Sequence, residues 1–223
     1  MTEEAIFQID KDLLREKLCK YTRKAFRMLP KLDEPHILDV GCGSGVPTME
    51  LARLSNGQIT GSDINQPLLD RLARRVEEAG LSDRVKTLKC SMLDMDFPDE
   101  SFDIIWAEGS IAVIGFERGL KEWQRFLKPN GCLVVHDDEG DITEKLERIS
   151  SCGYDLLEHF TLHGDTWWNE YYAPLEKRIN EIRAEHTDNP GALVAFDDDQ
   201  QFIDMFKKNP GRYSSVFFIM KKR

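Results

Sequence analysis

Two short segments carry residue types and spacings from which chemistry can be read. The first is Ile37-Leu38-Asp39-Val40-Gly41-Cys42-Gly43-Ser44-Gly45, a strand-like run into three alternating glycines, with Pro47 placed to open a helix. Glycines there allow a tight turn and let the backbone approach a ligand at a helix N-terminus. The dinucleotide pattern needs a glycine where this chain has Val46, and no G-x-x-x-x-G-K run for nucleoside triphosphates occurs. The second segment is Gly61-Ser62-Asp63-Ile64-Asn65, in which Asp63 ends the next strand. An acid at that place can accept hydrogen bonds from both ribose hydroxyls of an adenosine. Loop and acid together point to an adenosyl ligand, against the alternative of tight packing plus a capping aspartate.

The elements that must position these residues alternate from 36 to about 160. Strand-like runs fall at 36–40, 58–63, 85–90, 102–108, 132–137 and 154–162, with a last one at 213–220. Leu68, Leu69, Leu72, Ala73, Val76 and Ala79 form one helix face, which Asn65 can cap, Pro67 can open and Gly80 can close. Phe116, Leu120, Trp123 and Leu127 form another, ended by the turn Lys128-Pro129-Asn130-Gly131. Ile142, Leu146 and Ile149 make a third, with Asp141 and Glu144 at capping-box spacing. Such alternation predicts an α/β fold, a parallel sheet covered by helices on both faces. A single domain over 1–223 is expected, with a helical addition at 1–30, a ligand-binding core at 36–162, an insertion at 163–211 and a final strand within 212–223. The insertion holds a helix starting at Pro174 and another running from Asp197-Asp198-Asp199 to Lys207-Lys208, as the helix dipole favours.

Composition narrows the partners. The 223 residues are 41% hydrophobic and 31% charged, a globular balance, and 30 basic against 40 acidic side chains leave a net charge of −10. Neither nucleic acid nor an anionic membrane surface attracts such a chain. Apolar runs stay short of the roughly 18 residues a membrane helix needs. Met1-Thr2-Glu3-Glu4 lacks the features of a secretory leader. The 5 cysteines show no paired spacing, as in reduced, intracellular proteins. A soluble cytoplasmic protein without a metal is expected.

Asp39-Val40-Gly41-Cys42-Gly43-Ser44-Gly45 resembles motif I of the class I S-adenosylmethionine-dependent methyltransferases. The resemblance takes in Asp63, Phe97-Pro98-Asp99-Glu100-Ser101-Phe102-Asp103 before the fourth strand and Leu127-Lys128-Pro129-Asn130-Gly131 before the fifth. Thr22-Arg23-Lys24-Ala25, Glu108-Gly109-Ser110-Ile111 and Gly115-Phe116-Glu117-Arg118-Gly119 look most like the small-molecule branch. The resemblance implies a doubly wound, Rossmann-like sheet of seven strands, the last antiparallel, with the ligand at the C-terminal ends of the parallel strands. It implies that Gly41, Gly43 and Gly45 pass under the methionyl part while Asp39 helps hold the loop. Asp63 takes the ribose, Ile64 lies against the adenine, and Ser91 and Met92 supply its edge contacts. Many members carry an acid where this chain has Ser91, so Asp94 or a backbone carbonyl could serve the adenine amino group instead. Glu108 falls near the methionine moiety or the acceptor.

Methyl transfer is an in-line displacement at an already activated carbon, so alignment and exclusion of water supply much of the catalysis. A base is needed only for a protonated acceptor. Glu108 and His136 end strands four and five at the ligand edge and are the catalytic candidates, as a base or as an orienting carboxylate and a structural histidine. Trp167, Trp168, Tyr171 and Tyr172 could line an acceptor pocket or pack the additions, Trp168 with Tyr172 and Trp167 with Tyr171 sharing faces at helical spacing. Tyr21 and Arg23 could reach the methionyl carboxylate, or Arg23 could be a surface residue of an amphipathic helix. Cys42 reads as a small residue, and Asp137 with Asp138 lacks a third ligand for a divalent ion. The expected function is methyl transfer from S-adenosylmethionine, giving S-adenosylhomocysteine, to a nitrogen, oxygen or carbon of a small-molecule acceptor, by a monomer or homodimer. The alternatives are a non-catalytic binder of the same ligands and an enzyme acting on a protein side chain.

Overall fold

The computed structural model of the protein describes residues 9–223. Met1-Thr2-Glu3-Glu4 and the start of the expected helical addition lie outside the described residues. In chain order the first half is α1 (Lys11–Arg27), β1 (His36–Val40), α2 (Val46–Leu54), β2 (Gln58–Asp63), α3 (Gln66–Glu78), β3 (Val85–Lys89), β4 (Phe102–Glu108) and α4 (Phe116–Trp123). The second half is β5 (Leu127–Asp138), α5 (Ile142–Ser151), β6 (Tyr154–Leu162), α6 (Gly164–Trp167), α7 (Ala173–Glu185), α8 (Pro190–Val194), α9 (Asp197–Lys208) and β7 (Ser215–Lys222). No helix among the described residues is long and apolar enough to cross a membrane.

The described chain divides into two compact units. One holds Cys19–Thr161 with Ser215–Arg223, and the other holds the residues up to Leu18 with Leu162–Ser214.

The larger unit carries the sheet, ordered β3-β2-β1-β4-β5-β7-β6. Pairs β2–β3, β1–β2, β1–β4 and β4–β5 are parallel, and β7 runs antiparallel to β5. The Rossmann-like α/β sheet with an antiparallel last strand is therefore present. Strand alternation sends Leu38, Val40, Ile105, Ala107, Leu133, Val135, Val216 and Phe218 to one face, packed with Leu120 and Trp123 of α4 and Ile149 of α5. The other face carries the lateral row Gly61, Asp39, Trp106, Val134, Ile219. There Leu72 of α3 closes on Gly61, Thr48 of α2 meets Asp39, and Phe26 of α1 tilts against Trp106 with ring centroids 6.3 Å apart.

The local signals act as expected at the caps. The Asn65 side chain accepts from the Leu68 amide at 3.3 Å, and Asp141 accepts from the Glu144 amide at 3.0 Å. The turn expected at 128–131 differs. It is a bulge inside β5, where Phe102 and Ile104 of β4 face Leu127 and Cys132, and Asn130 takes a left-handed φ of 64°. Leu127 thus starts a strand and does not continue the α4 face.

The smaller unit is helical, with Leu175, Ile179, Ile182, Phe196 and Ile203 at its core. Between α6 and α7 the chain widens into a π-helical turn, Trp168–Tyr172.

Arg23 of α1 donates to Glu50 of α2 at 2.9 Å, and the Glu50 side chain is only 6% exposed, with Arg53 farther off at 3.5 Å. Removing Arg23 leaves a buried carboxylate poorly matched, so Arg23→Ala is expected to cost about 1–3 kcal/mol, the Arg23 end being partly solvent-screened. Urea denaturation of Arg23→Ala beside a Glu50→Gln, Arg23→Ala double variant measures it, and the double variant should recover part of the loss.

Candidate functional site

The glycine loop leaves the C-terminal end of β1, and β2 holds it from the side. The Gly41 and Cys42 amides donate to the Ser62 carbonyl at 2.8 and 3.0 Å, and the Gly43 amide donates to Asp63 Oδ2 at 2.9 Å. Asp63 Oδ1 takes the Asn65 amide at 2.8 Å. Each oxygen of the half-buried Asp63 therefore keeps acceptor capacity beyond its one loop bond.

The three glycines take φ values of 70°, 55° and 82°, all left-handed. Space around them differs. A Cβ on Gly41 would lie 2.5 Å from Ser110 Cβ, and one on Gly45 would lie 2.2 Å from Leu72 Cδ1. Among the described residues, a Cβ on Gly43 would meet nothing closer than Leu68 Cδ1 at 4.0 Å. The outer two are locked by packing, whereas the middle one presents bare backbone to open space.

Asp39 lies beneath this loop, 1% exposed, accepting from Thr48 Oγ1 at 2.6 Å. Burial, with Asp63 nearby, pushes its carboxyl up to about 7 despite the Thr48 bond. The Cys42 thiol is pushed upward by burial and by Asp39 and Asp63, which makes it an inert small side chain.

Glu108 ends β4 beside His136 of β5 and accepts from the indole nitrogen of buried Trp106 at 2.8 Å. His136 is 9% exposed, shares a 2.8 Å hydrogen bond with Ser215 Oγ, and stacks on Phe217 of β7 at 4.1 Å with a 4° interplanar angle. Burial pushes its pKa down to about 3, so it is neutral at physiological pH. The ring is packed because antiparallel β7 runs beside β5 and sets Phe217 directly across from it. Asp137 and Asp138 both meet Lys145, at 2.6 and 3.3 Å. Among the described residues no group of three or more histidine, cysteine or acidic side chains is arranged to hold a metal ion.

Of the expected adenine contacts, Ile64 is 67% exposed after β2. Met92 reaches the loop, its Cε 3.2 Å from where a Gly41 Cβ would stand. The Ser91 hydroxyl accepts from the Leu93 amide at 3.2 Å, and Asp94 is exposed on the same turn. Tyr21 has Lys20 against its ring, whereas Arg23 is committed to Glu50.

Trp167, Trp168, Tyr171 and Tyr172 belong to the helical unit. Trp168 stacks on Phe206 at 6.0 Å and Tyr172 meets the same ring at a tilt at 4.7 Å, so both share a face that packs inward. Trp167 meets Tyr171 edge-on at 6.2 Å, but the π-helical winding also brings it to Tyr172 at 6.3 Å, a contact that ordinary helical spacing does not give. Trp168, Tyr171 and Tyr172 pack against the unit's apolar core.

Sequence reading missed Ser110 and Thr48. Buried Ser110 donates to the Val40 carbonyl at 2.6 Å and, after left-handed Gly109, seats the post-β4 turn on Gly41. The adjacent Gly109 was the available signal. Thr48 has none, because its bond to Asp39 needs the helix folded back over β1.

Residues 37–131 match the model of a family described as "Methyltransferase domain". A sterol 24-C-methyltransferase of Gibberella zeae is 29% identical over 170 residues, covering 63% of this chain and 45% of that protein. The 27-O-demethylrifamycin SV methyltransferase of Amycolatopsis mediterranei is 30% identical, covering 74% of this chain and 60% of its own. The chain thus spans about half the length of the curated relatives it matches. A SAM-dependent methyltransferase from Geobacter sulfurreducens, solved with S-adenosyl-L-homocysteine, shares the fold with a TM-score of 0.73 at 20% identity, covering 99% of this chain and 96% of that one.

The glycines should separate stability from binding. Gly45→Ala combines left-handed strain with the Leu72 overlap and is expected to cost about 2–4 kcal/mol in thermal unfolding. Gly43→Ala should cost only about 1 kcal/mol yet abolish adenosyl-ligand binding by filling the open side of the loop. For His136, the folded pKa lies below the unfolded value, so its contribution is present above pH 6.5 and lost as pH falls toward 3. A His136→Gln variant should therefore lose less Tm than the parent between pH 7 and pH 4.5.

Proposed function

We propose, from the match of residues 37–131 to a methyltransferase-domain family, that the chain binds S-adenosylmethionine and methylates a nitrogen, oxygen or carbon of a small-molecule acceptor. The observation that carries the reading is Gly43: a left-handed, side-chain-free backbone facing open space between two glycines sealed by packing, with Asp63 beside it. Tight packing alone accounts for Gly41 and Gly45 but not for the space at Gly43.

The donor supplies a methyl group already activated on a sulfonium. Asp63 offers its remaining lone pairs to the ribose hydroxyls, and exposed Ile64 gives the adenine an apolar face, with Ser91 and Met92 at its edge. The 41–45 backbone passes under the methionyl part. Tyr21 is the α1 residue assigned to the methionyl tail, since Arg23 already holds Glu50. Glu108, fixed by Trp106, is the catalytic candidate: it orients a cationic group or takes a proton from an acceptor that arrives protonated. His136, neutral and stacked, keeps β5 and β7 in register. In the helical unit, Trp168 and Tyr172 support Trp167 and Tyr171, which we assign to acceptor recognition. The protein works in the cytoplasm as a monomer or homodimer.

Calorimetric titration with S-adenosylmethionine and S-adenosylhomocysteine tests the reading. Micromolar binding is expected, weakened at least tenfold in Asp63→Ala, after which acceptor libraries can be screened with a labelled methyl donor. Folded protein that binds neither ligand overturns it.

A further inference from the structure

Asp39 is a carboxyl buried at the sheet edge with no cationic partner among the described residues. Its carboxyl is buried under the glycine loop, out of reach of bulk water. From α2 it receives only the neutral Thr48 hydroxyl, and from β4 its lateral partner is Trp106. Among the described residues the titratable groups beside it are Asp63 from β2, whose charge disfavours its own, and the Cys42 thiol of the loop, which burial keeps neutral. Glu50, also buried on α2, is neutralised by Arg23 and Arg53. A buried carboxyl with an acidic neighbour holds its proton until a cation comes close.

We propose that Asp39 discriminates between the donor and its product by charge: the sulfonium of S-adenosylmethionine, bound over the loop, drives the Asp39 proton into solvent, and the uncharged thioether of S-adenosylhomocysteine does not. The proposal rests on the ligand assignment made above and adds a specificity residue to it. One oxygen–hydrogen bond breaks on Asp39, the proton goes to the buffer, and no electrons move. Asp39 touches neither methyl nor acceptor; it acts through the field beneath the loop. The consequence is a site that grips the cationic donor and relaxes its hold when the charge leaves with the methyl group.

The direction of linkage follows. With Asp39 titrating near pH 7 in the free protein and ionised in the donor complex, donor affinity rises with pH. From pH 6 to pH 8 the limit is about tenfold, while product affinity changes less than about twofold. Calorimetry in buffers of different ionisation enthalpy at pH 7 counts the proton directly. Wild-type protein should release a substantial fraction of one proton on binding S-adenosylmethionine and markedly less with S-adenosylhomocysteine. Asp39→Asn keeps the Thr48 bond and should bind both ligands with the extra release gone. The amino group of each ligand titrates equally in both proteins, so the difference between them belongs to Asp39. Equal proton release for the two ligands in the wild type, or release unchanged in the variant, overturns the proposal. If Asp39→Asn does not fold, Thr48→Val takes its place: without the hydroxyl that favours the ionised carboxyl, the extra release with the donor should grow, and release unchanged from the wild type overturns the proposal. Absence of any binding defeats the ligand assignment instead, a distinguishable result.

Discussion

Everything at the candidate site depends on how β2 grips the loop that leaves β1. Two amides of that loop converge on the Ser62 carbonyl, and a third reaches Asp63. Within the loop the Gly45 amide reaches the Cys42 carbonyl at 2.9 Å, and the amides of Gly41, Cys42 and Gly43 take their partners from outside it. Parallel pairing of β1 with β2, Val40 against Ser62, brings those partners to the right height. The same carboxylate also fixes the turn into α3 through Asn65. One side chain thereby sets the loop, the start of the next helix and the acceptor atoms that face outward.

The rest of the sheet edge is built against that loop. Ser110 locks the post-β4 turn onto Val40 and leaves no room for a side chain on Gly41, while Leu72 seals Gly45 from α3. Among the described residues, packing from both flanks leaves the open side of the loop at Gly43. Beneath it, burial turns Asp39 from an ordinary surface-type acid into one that titrates near neutrality. The functional properties of the loop are thus consequences of what surrounds it more than of the glycines themselves.

His136 and the four clustered aromatics show how tertiary neighbours decide between readings that the sequence leaves open. A histidine at the end of a central strand fits either a proton carrier or a packed ring. Phe217, itself stacked on Phe160 at 5.0 Å, packs against its ring. Trp168 and Tyr172 fit a pocket wall or a core, and Phe206 draws both inward. The π-helical turn then changes which rings meet, because Trp167 reaches Tyr172 five positions on, a partner that a regular helix would turn away.

The sequence by itself determined the alternation of strands and helices, the glycine loop with its acid, and the caps at Asn65 and Asp141. These follow from local rules: alternating apolar residues, backbone angles open to glycine, and side chains that bond amides a few residues away. It also carried the likeness to methyltransferases, since the loop and Asp63 are close in sequence to the strands that present them. Only the tertiary structure decided the bulge at Asn130, the pairing of Arg23 with Glu50, the neutral His136, and the burial of Asp39 under Thr48. Each depends on a partner from another element, from 9 residues away for Thr48 to 79 for Ser215. Periodicity reports which face a residue occupies, but not which side chain waits opposite it.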